Sequence, residues 1–353
     1  MSINPDRNYG QMLTAATARR SKRIQDIVYK ATPLTRILLG EGVGRNGSRI
    51  QVKRAGGPEL RVPIEFDKLQ AQWFTGYDYI QITPKELLNS AVFNWSRVVA
   101  PFSLNGTELL FNGGEEEVID LIAFYLNSAE KSVKEEFEAS LISDGTGSGG
   151  RQIIGLNGAI PAIPNAGIYG GISRVDVANW RTSFFDISAG DVPGVTAWDS
   201  TTARIVIEHI ALARSRGGRY PDLWIMDPLS YRAISQAVMA ISRAPADYGP
   251  GTWGRSSRLA RLGFEGISLL TSAGVVDIVA AGGIGSVMPA NTIFGIDTEG
   301  LALYEFPGQS FVPFHPGNGL RPINQDAIAQ GIVWSGGLVL ENPLFSVRVD
   351  TSA

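Results

Sequence analysis

The sequence predicts an α+β fold, and three features of its patterning predict it. Residues 115–143 carry one apolar stripe at helical spacing. Residues 48–66 and 91–104 read as extended, with apolar and polar residues alternating. Residues 201–242 then run helix, strand, helix, and short strands follow almost to the C-terminus.

In chain order, residues 11–30 come first, with Leu13, Ala16, Ile24, Ile27 and Val28 spaced for one helix face and Pro33 ending it. This N-terminal arm is basic. Residues 1–36 hold seven Lys and Arg against two Asp, a net charge of +5 that leaves −8 for the rest of a chain whose total is −3. Arg19, Arg20, Lys22 and Arg23 are its densest cluster. Such an arm on an acidic body suits contact with nucleic acid or an acidic neighbour, or is a solvated helix face. Gly40, Gly42, Gly44 and Gly47 follow closely and form a candidate hinge, because glycine tolerates backbone states that other residues do not.

Residues 48–104 read as a long hairpin: Ile50 and Val52, then ELRVPIEF, alternate on the way out, and AVFNWSRVVAPFSL returns. Its tip, residues 67–90, has neither helical nor strand period but holds Lys68, Trp73, Phe74, Tyr77 and Tyr79. A two-stranded hairpin offers little for these aromatics to bury against. An irregular tip this long is usually functional. The tip either contacts another molecule or folds back on its own domain.

The helix over 115–143 is the strongest in the chain. Val118, Ile122, Leu126, Ala129, Val133, Phe137 and Leu141 form its stripe, and Glu115, Glu116 and Glu117 suit the positive end of its dipole. Gly145 suits a C-terminal stop. At 1.5 Å per residue it is about 43 Å long, a girder across a domain. Asp120, Glu130, Glu135, Glu136 and Glu138 lie on its polar face. Residues 146–199 show little regular pattern. A helix over 201–216, capped by Ser200 or Thr201 and stopped by Gly217-Gly218, leads to a strand at PDLWIM and a helix from Asp227-Pro228 to about Ser242. Strands are predicted at about 266–270, 275–280, 292–296 and 301–305. The tail, Ala327 to Val349, reads as strands around Glu341-Asn342-Pro343 that return to the first sheet.

Composition narrows the function. Charged residues make up only 18%, below the usual quarter, and hydrophobic ones 44%, so much surface is expected to be covered, within the chain or by neighbours. No apolar run reaches the length of a membrane span, and the N-terminus lacks a signal core. Cysteine is absent, which excludes disulfides and fits a reducing cytoplasm.

Catalytic patterns are missing. His209, inside a predicted helix, and His315, in FHPGNG, are the only histidines and share no metal-ligand spacing. There is no G-x-S-x-G elbow and no Walker A loop. DGTGSGG (144–150) follows a helix where a dinucleotide loop follows a strand. AGGIGS (281–286) follows a strand, but Met288-Pro289 comes next and no helix opens there. Both read as turns. The carboxylate pairs lie on a solvated helix face. Neither cofactor nor metal is expected, and a soluble α/β enzyme has no constellation to support it.

One ordered series carries a family resemblance: GYDYIQITP (76–84), FNWSRVVAPFSLNGTELLFNGG (93–114), EEEVIDLIAFYLNSAEKS (115–132), LISDGTGSGGRQIIGL (141–156) and GGISRVDVANWR (170–181). PDLWIMDPLSYRAI (221–234) extends it. Together these resemble the major capsid proteins of tailed bacteriophages with the Hong Kong 97-type fold, over somewhat more than half of the chain. The specificity lies in the order of the segments.

The resemblance implies an N-terminal arm at 1–36 and an extended loop at 37–98, with tip 67–90. It implies a peripheral domain at 99–199 and 319–353 with spine helix 115–143, and an axial domain at 200–318. Lys68, Trp73, Phe74, Tyr77 and Tyr79 would then meet an adjacent subunit, and Arg19, Arg20, Lys22 and Arg23 would meet DNA or a neighbour. The chain would form pentamers and hexamers of a shell around double-stranded DNA, made in the bacterial host cytoplasm, with portal and scaffolding or decoration proteins as partners. Some relatives carry a large, removable N-terminal assembly domain; only about 35 residues precede the loop here, so a separate scaffold, or none, is expected. A Lys68–Asn342 cross-link between subunits is a further idea the resemblance raises. An encapsulin-like compartment of the same fold is the alternative shell.

Overall fold

The computed structural model describes residues 35, 50–65, 67, 69, 71–80, 82, 84, 87–105, 107, 121–242, 253–255, 266–281, 288–313 and 327–352. The predicted helix over 11–30, the cluster Arg19, Arg20, Lys22 and Arg23, the glycines Gly40, Gly42, Gly44 and Gly47, and Lys68 and His315 lie outside them.

The described residues form two compact units. The smaller comprises those of Val98–Phe137 and Gly308–Trp334; the larger comprises those of Pro33–Arg97, Glu138–Pro307 and Ser335–Ala353. Three long elements contribute to both: strand β4 (Ser96–Asn105), helix α1 (Leu121–Ile142) and strand β15 (Ala327–Leu340).

In the smaller unit, β4 and the two-residue strand β14 (Val312–Pro313) pair with the first half of β15. Gly331 lets the strands close up, since a Cβ there would lie 2.9 Å from the Ala100 carbonyl oxygen. The predicted stripe of α1 faces inward at Ala129, Val133 and Phe137. Phe137 meets Trp334 edge-on at 4.6 Å and Phe311 at 6.1 Å.

The larger unit holds a seven-stranded sheet in the order β7 (Ser183–Asp186), β16 (Val347–Asp350), β12 (Thr292–Ile296), β8 (Leu223–Met226), β11 (Val275–Ala280), β10 (Gly266–Leu270), β9 (Trp253–Arg255). Strand β8 is buried at every residue, as an unbroken apolar run at the centre of a sheet should be. Helix α2 (Ala203–Ala213) covers the sheet with Val206, Ile207 and Ile210, packed among Trp224, Ile278, Ile293 and Val349. Helix α3 (Pro228–Ser242) begins as predicted: Pro228 needs no N–H partner there, and Asp227 Oδ2 accepts from the amides of Leu229 and Ser230. Strand β1 (Gln51–Arg54) pairs in parallel with β13 (Leu301–Glu305), which runs antiparallel to the second half of β15, so these strands belong to the five-stranded sheet of β15.

Several expectations need correction. The hairpin is shorter than predicted: only β2 (Leu60–Glu65) and β3 (Leu88–Phe93) pair with each other, while β1 joins β13. The single strand expected over 91–104 is two, β3 and β4, broken at Asn94-Trp95. The start of α2 is organised by neither Ser200 nor Thr201 but by Asp199, whose Oδ1 accepts from the amides of both Thr201 and Thr202. The Thr201 hydroxyl, which donates to the same oxygen, and then these two amides hold its carboxyl down at about 2. Strand β7 was not anticipated. And the tail does not return to one sheet: β15 pairs with β4 and β13, but β16 lies between β7 and β12.

Candidate interaction surface

The β2–β3 stem rests on one turn of chain. Leu60, Val62 and Ile64 alternate inward along β2, Ala91 and Phe93 along β3, and all five are buried. Pro63 has no N–H, so the Pro63–Ser90 pair is a non-hydrogen-bonded one and Ile64–Asn89 a hydrogen-bonded one. The same alternation points the Val92 amide away from β2. It donates instead to the Gly170 carbonyl at 2.9 Å.

Gly170 sits in a two-strand turn between β5 (Ile168–Tyr169) and β6 (Ile172–Ser173), at φ +58°. Its neighbour Tyr169 is fully buried and ties the stem to the sheet. The ring meets Phe93 edge-on at 5.1 Å. Its hydroxyl accepts from the Leu340 amide at 2.9 Å, and its carbonyl accepts from Trp180 Nε1 at 3.0 Å. The Arg174 guanidinium lies 4.9 Å over the ring and donates to the Ala159 carbonyl at 2.7 Å. Arg181 donates to the carbonyls of Arg174 and Val175. The GGISR…NWR segment is thus the knot on which the hairpin stands.

Burial pushes the Tyr169 hydroxyl up to about 12, against smaller opposing effects of the Leu340 amide and Arg174. The folded value lies above the unfolded one near 10, so this contribution is complete below pH 10 and is lost as pH rises toward 12. We expect roughly 2 kcal/mol of stability to disappear across that window. The check is urea unfolding at pH 9 to 12 beside Tyr169→Phe, which should lack this part of the alkaline loss.

Beyond the stem the pattern reverses. Trp73, Tyr77 and Tyr79 are essentially fully exposed (103, 109 and 93%), Phe74 is 64% exposed, and Leu69, Ile82 and Leu88 are exposed as well. No helix or strand forms across residues 71–80; a turn at Gly76-Tyr77 is closed by Asp78, whose carboxylate accepts from the Thr75 amide at 2.7 Å. The four aromatics alone present on the order of 600 Å², the upper end of what a soluble monomer ordinarily leaves in one patch. The predicted aromatics thus lie together on one exposed segment.

The other candidates are dispersed. His209 is half-buried on α2. The 144–150 glycine run is an irregular turn with Gly145, Ser148, Gly149 and Gly150 at positive φ. Asn342 Oδ1 accepts from the Leu344 amide and caps the turn between β15 and β16. Among the described residues no group of three or more His, Cys, Asp or Glu is placed to hold a metal, and no helix is long and apolar enough to cross a membrane. Sequence reading missed the role of Tyr169. The only local signal was a tyrosine followed by two glycines.

No protein-family model matches the chain, and no curated protein matches its sequence. Solved structures do match. The capsid asymmetric unit of cyanophage A-1(L) is 14% identical with a TM-score of 0.65, over 94% of this chain and 95% of that one. The capsid of a native GTA particle is 11% identical with a TM-score of 0.58, over 94% of each chain. The capsid of Myoviridae phage XM1 is 10% identical with a TM-score of 0.55, over 94% and 95%. At these identities the likeness concerns the fold: the chain has the mixed α+β fold of these capsid chains.

Proposed function

We propose that the chain is the major capsid protein of a tailed bacteriophage, a structural protein without catalytic activity, and that its copies form the pentamers and hexamers of an icosahedral shell around double-stranded DNA. The observation that carries this is the extent of the likeness: 94% of this chain aligns with 95% of a cyanophage capsid chain at a TM-score of 0.65. The exposed aromatic tip supports it independently, since a shell of one chain needs head-to-tail contacts between unlike patches.

In this reading residues 37–98 are the extended loop and Trp73, Phe74, Tyr77 and Tyr79, with Lys68, contact the next subunit. Residues 99–199 and 319–353 form the peripheral domain, 200–318 the axial domain, and Gly40, Gly42, Gly44 and Gly47 the bend between pentamer and hexamer surroundings. Portal and scaffolding or decoration proteins complete the particle, which is assembled in the host cytoplasm.

The test is negative-stain microscopy and light scattering of the purified chain, alone and with the other proteins of its locus. Regular shells tens of nanometres wide are expected, holding DNA when they come from infected cells. Shells filled with a cargo enzyme would point to a storage compartment. A monomer that never assembles would overturn the proposal. The arm gives a second check. Neutralising Arg19, Arg20, Lys22 and Arg23 together should lower the yield of DNA-filled particles about tenfold or more, because a basic segment binds phosphates through charge. Normal yields would remove the arm from DNA contact.

A further inference from the structure

The contact of the stem with its knot has a consequence for how the tip is aimed. A hairpin free to swing would meet the body through a loose joint, with its apolar face partly open. Here every inward side chain of the stem, from Leu60 to Ile64 and from Ala91 to Phe93, is buried. The Val92–Gly170 bond continues the stem into the β5–β6 turn, and Tyr169 carries that turn to Leu340 on β15. The joint below the stem is also closed. Gly57, at φ +115°, turns the chain between β1 and β2, and its carbonyl accepts from Trp95 Nε1 at 3.0 Å across the Asn94-Trp95 break. Trp95 in turn meets Phe306 edge-on at 5.5 Å.

We infer that the Tyr169–Gly170 turn is the positioning element of the hairpin: it fixes the stem in one direction on its own domain whatever surroundings a copy occupies, and the hairpin's own adjustment takes place beyond the Ile64–Asn89 pair. The part concerning different surroundings rests on the shell reading; the fixed stem does not. The physical reason is cooperativity. Lifting the stem would expose five apolar side chains and strand the Val92 and Leu340 amides together, whereas the aromatic side chains of the tip already stand in solvent.

Amide hydrogen exchange decides this with the unmodified protein, unassembled and in shells. In the unassembled chain, Val92 and Leu340 should exchange as slowly, within about tenfold, as central sheet amides such as Ile225 and Ile278, while amides in 71–80 exchange far faster. Assembly should slow those tip amides at least about tenfold and leave Val92 and Leu340 within about tenfold of their former rates. Val92 exchanging at the rate of the tip in the unassembled chain, or changing by more than about tenfold on assembly, would overturn the inference. If the protein forms no shells at all, the shell reading fails, and the unassembled rates still decide whether the stem is held.

Discussion

A chain whose residues 65–88 are replaced by Asn-Gly will fold, stay soluble and build no shells. The register makes the excision clean. Ile64–Asn89 is the hydrogen-bonded pair that a two-residue type I′ turn requires, and Asn-Gly supplies the positive φ values of that turn. Every buried side chain of the stem is kept. The removed segment contributes Trp73, Phe74, Tyr77, Tyr79 and Leu88 to solvent, and none of its described residues is buried. Shortening a loop by more than three doublings of length recovers about 2 kcal/mol of closure entropy, so the melting temperature should hold or rise.

Assembly should respond in the opposite direction. Buried aromatic anchors in a contact commonly cost 2 kcal/mol or more each when truncated to alanine. Every copy in a shell would lose its anchors at once, so the effect multiplies over the particle. The excised chain is therefore expected as a monomer by sedimentation, under conditions where the parent forms particles. The milder variant with Trp73, Phe74, Tyr77 and Tyr79 all changed to alanine should behave alike. Normal shells from either protein would mean that the tip is not the contact. Loss of folding on excision would mean that the tip packs on its own chain.

Most of the fold was legible because its elements carry local periods. The four strands at 266–270, 275–280, 292–296 and 301–305, and the helices after Ser200 and Asp227, were foreseen within a few residues. The tip was legible for the opposite reason: aromatics in a stretch with no period have no local partner. What could not be read depends on distant chain. Strand β7 is four residues long and exists through its parallel pairing with β16, whose residues follow more than 150 positions later. The break between β3 and β4 accompanies a change of partner from β2 to β15, at which the alternation slips by one residue, from inward Ala91 and Phe93 to inward Leu104. Tyr169 is the sharpest case. Nothing near it in sequence announces that its hydroxyl will receive the Leu340 amide, 171 positions away.

Gly170→Ala should destabilise the folded chain by about 3 kcal/mol, whereas Gly171→Ala, one residue on, should cost about 1 kcal/mol. Both glycines have positive φ, +58° and +74°, so both substitutions force an L-residue into the left-handed region. They differ in what the new methyl meets. At Gly171 nothing lies within 4 Å; at Gly170 the methyl would stand 2.6 Å from Phe93 Cζ and 3.0 Å from Ala91 Cβ. Those atoms belong to the buried face of the stem and cannot withdraw without opening it. Urea unfolding of the two variants separates strain common to both from the clash unique to one. Adding Phe93→Leu to Gly170→Ala removes the offending ring edge and should restore part of the loss, even though the same change alone is destabilising. Equal costs at the two glycines, or no rescue, would show that the stem does not press on Gly170. If it does, shell yield of Gly170→Ala should fall further than that of a core variant of equal stability, because a displaced stem points four exposed aromatics in the wrong direction.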